Sequence, residues 1–150
     1  MATEQAFGEA KHGATFRRVL VGFDGSTAAQ HALRVAIAFA ADLGGEAHVL
    51  LVIRPPAHTE TPEERARAAE AERQNLSNGL SDFSTPNQPE LSTEVVYADD
   101  PGKALAAYAA EHGFDVVVVG GHGREQMTHR GMGQSVEALL RDHPCPVLVV

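Results

Sequence analysis

The stretch Val116 to Val136, VVVVGGHGREQMTHRGMGQSV, decides how this 150-residue chain folds. Val116 to Val119 form a β-branched run apolar on both faces, the pattern of a strand buried inside a parallel sheet. The run breaks at Gly120-Gly121-His122-Gly123, where backbone angles closed to other residues become available. After nine intervening residues comes Gly133, then Gln134-Ser135, then a helical pattern of Val136, Leu139, Leu140 and His143. A strand, a glycine-bounded loop and a helix N-terminus make a place where backbone N–H groups can converge on an anion, as in a phosphate site.

The loop has alternatives that its residues decide between. Fourteen residues from Gly120 to Gly133 are long for a plain link between strand and helix, and long loops in compact domains are often functional. There is no GK[ST] and no lysine in the stretch, so it is not a Walker P-loop. A dinucleotide fingerprint needs GxGxxG after the first strand, and none is there. Arg124 and Arg130 can add charge-assisted contacts to a phosphate, or can simply be solvated or paired with Glu125.

Outward from this stretch, strands and helices alternate. Residues Met1 to Thr15 show no period and are expected to be a loosely ordered tail. Phe16 to Phe23 is the first strand, centred on Val19-Leu20-Val21, and Asp24-Gly25-Ser26-Thr27 supplies turn and cap chemistry. A helix to about Leu43 puts Leu33, Ala36, Ile37 and Ala40 on one face, and Gly44-Gly45 stops it. His48 to Ile53 is a second apolar strand, ended by Pro55-Pro56.

Thr61-Pro62-Glu63-Glu64 is a capping box with proline at the first helical position. Its helix carries Ala69, Leu76, Leu80 and Phe83, and Ser84 to Glu90 is a polar connector. A third strand lies within Leu91 to Ala98. Asp99-Asp100-Pro101-Gly102 starts a third helix, with Leu105, Tyr108, Ala109 and His112 at helical spacing and Gly113 closing it. After the glycine loop, Pro144 ends the fourth helix and Pro146 to Val150 is a fifth, apolar strand. The order β-α-β-α-β-α-β-α-β predicts an α/β fold: one open parallel five-stranded sheet with helices on both faces, three layers in all. Ligands of such sheets sit beyond the carboxyl ends of the strands, where the strand order reverses. If the first and fourth strands flank that point, Asp24 and the Gly120 loop lie side by side.

Composition narrows the function. Twelve Lys and Arg against 20 Asp and Glu give a net charge of -8, which argues against nucleic-acid binding. The single Cys145 precludes an intramolecular disulfide and suits a reducing compartment. It stands between two prolines before an apolar strand, where packing is the expected role. No apolar run approaches the ~20 residues of a membrane span, and no signal-peptide core is evident, so a cytoplasmic protein is expected. Eight histidines include no HExxH or close His/Cys set, and no metal site is expected.

The sequence resembles the universal stress proteins of the ATP-binding kind over nearly its whole length, Arg17 to Val150. The resemblance rests on VLVGFDGS at the first strand, DDP before the third helix, Gly120-x2-Gly123-x9-Gly133, and the HPCPVLVV ending. It implies residues 16–150 as one universal stress protein domain, strand order 3-2-1-4-5, and a homodimer through the last strand, Val147 to Val150, with a tetramer left open. It implies ATP, with Mg²⁺ or without, or ADP or AMP, as the ligand of a dimeric stress-response regulator. Base and ribose contacts fall on Gly22, Phe23 and Asp24 at the first strand's end and on Val52 at the second's. Phosphate contacts fall on Gly120, Gly123, Gly133, Gln134 and Ser135, and Val119, His122 and Arg124 are further candidates for binding the cofactor. The family usually has Ser or Thr after the last glycine, and this chain has Gln134.

Asp24 can serve the ligand or cap the first helix, and Ser26 is expected to be a cap, since no partner base is evident. No general base is aimed at a water, so no catalytic residue is assigned and any turnover is expected to be slow. Two other readings stay open: a slow ATPase or phosphoryl transferase that uses Mg²⁺ and autophosphorylates a hydroxyl such as Thr128 or Ser135, and a nucleotide-free dimeric scaffold.

Overall fold

A computed structural model of the chain describes residues 16–55, 61–83, 86, 88–121 and 134–150. The expected tail and the loop at 122–133 lie outside these residues. Strand β4, Val116–Val119, is buried at every position. Its neighbours are β1, Arg18–Phe23, paired Val19↔Val116 to Val21↔Val118, and β5, Val147–Val149, paired Val117↔Val147 to Val119↔Val149. On the other side of β1 come β2, Glu46–Ile53, and β3, Leu91–Tyr97. All pairs are parallel, and the order is β3-β2-β1-β4-β5, as the resemblance implied.

Cap residues mark the starts of the first three helices. In α1, Thr27–Leu43, the Ser26 hydroxyl accepts from the Ala29 amide and Gly44 ends the helix at φ 64. In α2, Pro62–Leu80, Thr61 and Glu64 form the reciprocal capping box. In α3, Pro101–His112, Asp100 accepts from the Lys103 amide and Gly113 closes at φ 65. The last helix is α4, Gln134–Arg141.

The sheet is covered on both sides by separate cores. Odd-numbered β1 and β2 residues (Val19, Val21, Ala47, Val49) meet Ala32, Leu33, Ala36, Ile37 and Ala40 of α1, with Leu76 and Leu80 of α2. Leu20, Leu50, Val117 and Val119 meet Leu105, Ala106 and Ala109 of α3 and Val136 and Leu139 of α4. Full burial of a Leu or Val contributes about 1.5–3 kcal/mol, and Val19, Leu20, Val21, Val49, Leu50, Val117 and Val118 are all fully buried in the sheet. Asp115 fastens the strand starts: its Oδ2 accepts from the Arg17 and Arg18 amides at 2.9 and 2.8 Å.

Some expectations need correction. Leu140 is not on the buried stripe of α4; it is 37% exposed, while Val136 and Leu139 face the sheet. Adjacent helical residues are turned about 100° apart, and in α4 the buried stripe takes in Leu139 and stops short of Leu140. The helix ends at Arg141, before Pro144, and His143 Nδ1 reaches back to the Leu140 carbonyl at 2.9 Å. Phe83 lies in a 3₁₀ turn, Ser81–Phe83, after α2 has ended. The second strand starts at Glu46, earlier than expected, because the Glu46 amide donates to the Arg17 carbonyl at 2.7 Å.

Candidate functional site

Between β1 and β4 the strand order reverses: chain to one side runs β1, β2, β3 and to the other β4, β5. At such a point successive crossovers leave in opposite directions, and a crevice opens beyond the strand ends. Three described segments border it: the β1–α1 turn, the first turn of α1, and the end of β4.

The β1–α1 turn is held by its own polar side chains. Asp24 Oδ1 accepts from the Ser26 amide at 2.9 Å, Gly25 takes φ 80, and the Ser26 hydroxyl accepts from the Ala29 amide at 3.1 Å. This is an Asx turn running into an N-cap. Ser26, not Asp24, is therefore the cap of α1, and Asp24 Oδ1 closes the turn at the rim of the crevice.

Gly120 is where β4 and α1 touch. A Cβ built on it would lie 2.8 Å from the Ala28 carbonyl carbon and Cβ and 2.9 Å from the Ala28 oxygen, closer than real Cβ contacts come. Glycine here lets the backbone leaving β4 run against the first turn of α1. Beyond it, the Gly121 amide donates to the Val150 carbonyl at 2.9 Å, which ties the loop's entry to β5.

The other expected residues divide by what their side chains do. Gly22 faces α3, where a Cβ would sit 2.7 Å from Leu105 Cδ1 and 3.1 Å from Val119 Cγ1, both side-chain ends. Phe23 packs partly buried against the α1-side core. Val52 and Val119 belong to the α3-side core, Val119 buried and Val52 half-buried near the end of β2. Ser135 stands in the first turn of α4 beside α3. His122, Gly123, Arg124, Gly133 and the Gln134 side chain lie outside the described residues. Among the described residues no group of three His, Cys, Asp or Glu could hold a metal ion. Cys145 is packed beside the α3-side core, where burial first and the Asp115 carboxylate second raise its thiol pKa. That favours the unreactive thiol.

The opposite end of the sheet holds a polar cluster that sequence patterns did not reveal. His48 on β2 stacks against Tyr108 on α3, Tyr108 stacks on His112, and Arg18 lies 4.6 Å over the Phe114 ring. Arg18 also pairs with Glu46 at 2.9 Å and donates to the His112 carbonyl. These residues come from distant parts of the chain, and only the sheet order brings them together.

The sequence model of the Universal stress protein family matches residues 15–150. The chain belongs to the universal stress protein family. Universal stress protein UspA from Lactobacillus plantarum is similar to it at 26% identity and TM-score 0.76, over 90% of this chain and 97% of that one. A universal stress protein in complex with cAMP shares the fold at 20% identity and TM-score 0.66, over 91% of this chain and 97% of that one. So does the Archaeoglobus fulgidus universal stress protein in complex with dAMP, at 17% identity and TM-score 0.60, over 90% and 98%. Among the curated proteins compared by sequence, none matches.

Among the described residues no helix is long and apolar enough to cross a membrane.

Proposed function

We propose that this universal stress protein binds an adenine nucleotide, ATP first among the candidates, in the crevice beyond the ends of β1 and β4, and acts as a dimeric cytoplasmic stress-response regulator. The observation that carries the reading is the contact of Gly120 with the Ala28 backbone, which leaves no room for a side chain between the loop's start and the first turn of α1. Main chain rather than side chains then borders the crevice where β4 ends. Such borders suit anions, because backbone N–H groups and helix N-termini carry partial positive charge.

In this reading residues 16–150 are the binding domain and 1–15 a tail. The backbone of Gly120, Gly123, Gly133, Gln134 and Ser135 holds phosphates, with His122 and Arg124 beside them. Asp24 takes the ribose while keeping its Oδ1 on the Ser26 amide. The Val52 end of β2 takes the base. Mg²⁺, where present, accompanies the phosphates of ATP. Two members of the same fold family were solved with cAMP and dAMP, ligands of the same adenine class.

The dimer is placed at the outer edge of β5. Val149 of β5 is 37% exposed, and a short apolar edge strand gains from being covered. The Val150 amide donates inward to the Val119 carbonyl and its own carbonyl accepts from Gly121. By the alternation of a strand, Val147 and Val149 turn their backbone groups outward, toward a second copy.

The test is to denature purified protein, identify any released nucleotide by chromatography and mass spectrometry, and titrate the emptied protein with Mg-ATP. Stoichiometric adenine nucleotide or micromolar rebinding supports the reading. A protein that comes empty and ignores ATP, ADP, AMP and cyclic nucleotides alike refutes it.

A further inference from the structure

The helices α3 and α4 cover the same face of the sheet, and they meet at Gly102. This residue is buried in the first turn of α3. A Cβ built on it would fall 2.2 Å from the Ser135 carbonyl oxygen, 3.0 Å from the Ser135 carbonyl carbon and 2.8 Å from Ala138 Cβ. Its backbone gives no reason for glycine: among the described residues the positive-φ glycines are Gly25, Gly44 and Gly113. Glycine is also among the poorest helix formers. Asp100 nevertheless starts a regular helix through it, accepting from the Lys103 amide at 3.1 Å with its side chain and from the Ala104 amide at 3.0 Å with its carbonyl. Spacing is what remains to explain the residue.

The spacing sets α4. The Ser135 oxygen is main chain, so no rotamer change can relieve a methyl group at residue 102; one helix must move away from the other by most of an ångström. On its other side α3 is held to the sheet through Leu105, Ala106 and Ala109, and α4 through Val136 and Leu139 alone. The shorter α4, which begins at Gln134, is the one that gives way.

We propose that Gly102 is a positioning residue for the nucleotide site: it sets how closely the first turn of α4, Gln134 and Ser135, stands to the end of β4. This rests on the proposed reading that this turn holds phosphate. Hydrogen bonds from backbone amides tolerate only tenths of an ångström, so displacing the turn weakens several of them together. Gly102 touches no ligand and acts only through α4.

The experiment compares Gly102→Ala with Gly45→Ala. Gly45 is as crowded, with a built Cβ 2.1 Å from the Arg17 carbonyl oxygen, but stands at the opposite end of the sheet. Thermal midpoints and affinities for Mg-ATP and adenosine are measured for both and for the parent. Gly102→Ala is expected to lower ATP affinity on the order of tenfold or more while adenosine affinity changes little. Gly45→Ala is expected to lose stability and keep its ATP affinity. If Gly102→Ala does not fold, Ala138→Leu forces the same separation from the side of α4 and must give the same selective loss. ATP affinity equal to the parent's in these variants, or a loss that tracks stability equally at positions 102 and 45, overturns the positioning role. A parent protein that binds no nucleotide refutes the binding reading itself, and the role of Gly102 with it.

Discussion

His48 Nε2 and the Tyr108 hydroxyl lie 3.0 Å apart, joining β2 to α3 at the end of the sheet away from the crevice. The other ring nitrogen, Nδ1, lies 2.5 Å from the Ser92 hydroxyl on β3. Either neutral tautomer satisfies both contacts, because each hydroxyl can donate or accept. The imidazolium is a double donor and requires both hydroxyls to accept. Burial is the main reason the His48 pKa lies below its ordinary 6.5; His112 and Arg18 add to that effect, and Glu94 and Glu46 oppose it.

The linkage has a definite sign. As pH falls below about 6.5, the unfolded chain takes up a proton that folded His48 resists, so stability is lost until the lower folded value is passed. Above that window His48 contributes no slope. Urea midpoints measured from about pH 7.5 down to about 5.5 should therefore fall more steeply in the parent than in His48→Gln. Equal slopes would show that His48 does not resist protonation. Tyr108→Phe should cost about 1 kcal/mol at neutral pH, from the lost hydrogen bond.

Gly120→Val tests the contact between β4 and α1. The new side chain would have to displace the Ala28 backbone, and overpacking of this kind typically costs about 1–3 kcal/mol. Chemical denaturation should show that loss, and a midpoint equal to the parent's would mean the contact is looser than described.

The two edges of the sheet should respond oppositely to substitution. On β3, Glu94 Oε1 accepts from the Val95 amide at 3.1 Å. The Ala98 amide donates inward to Ile53, so by alternation Val95 points its backbone outward, and Glu94 blocks the edge there. Glu94→Ala should raise self-association in light scattering. Val149→Lys, at the opposite edge, should instead convert a dimer to monomer by sedimentation. A dimer that survives Val149→Lys would place the interface elsewhere.

The glycine cradle predicts that replacing Gly123 and Gly133 together with valine abolishes nucleotide binding while circular dichroism stays unchanged. Unchanged affinity in that double variant would remove the cradle. Gln134→Ser should keep or strengthen ATP binding, measured by calorimetry; a clear loss would make the Gln134 side chain a ligand.

Local spacing was enough to read most of the fold. Val116 to Val119 are apolar without alternation, which only a strand covered on both faces tolerates, and that one run implies helices on both sides. Thr61 with Glu64, Asp100, Gly44 and Gly113 mark helix ends because caps act within a few residues. The family motif then placed Asp24 and Gly120 at neighbouring strand ends, and the strand order agrees with it.

Long-range fit was not readable in this way. That Gly22 lies against Leu105 of α3 shows only in the fold. Leu140 matches the helical period and is still exposed, because α4 packs on the core through Val136 and Leu139. His48 and Tyr108 are ordinary members of a strand and a helix until the sheet order sets them face to face. The sequence by itself determined the elements, their caps and the α/β class, since these depend on periodicity and neighbours along the chain. Only the tertiary structure decided that Gly102 meets Ser135, that Ala28 meets Gly120 and that His48 meets Tyr108. Those contacts depend on how closely separate elements approach across the sheet, which no local pattern encodes.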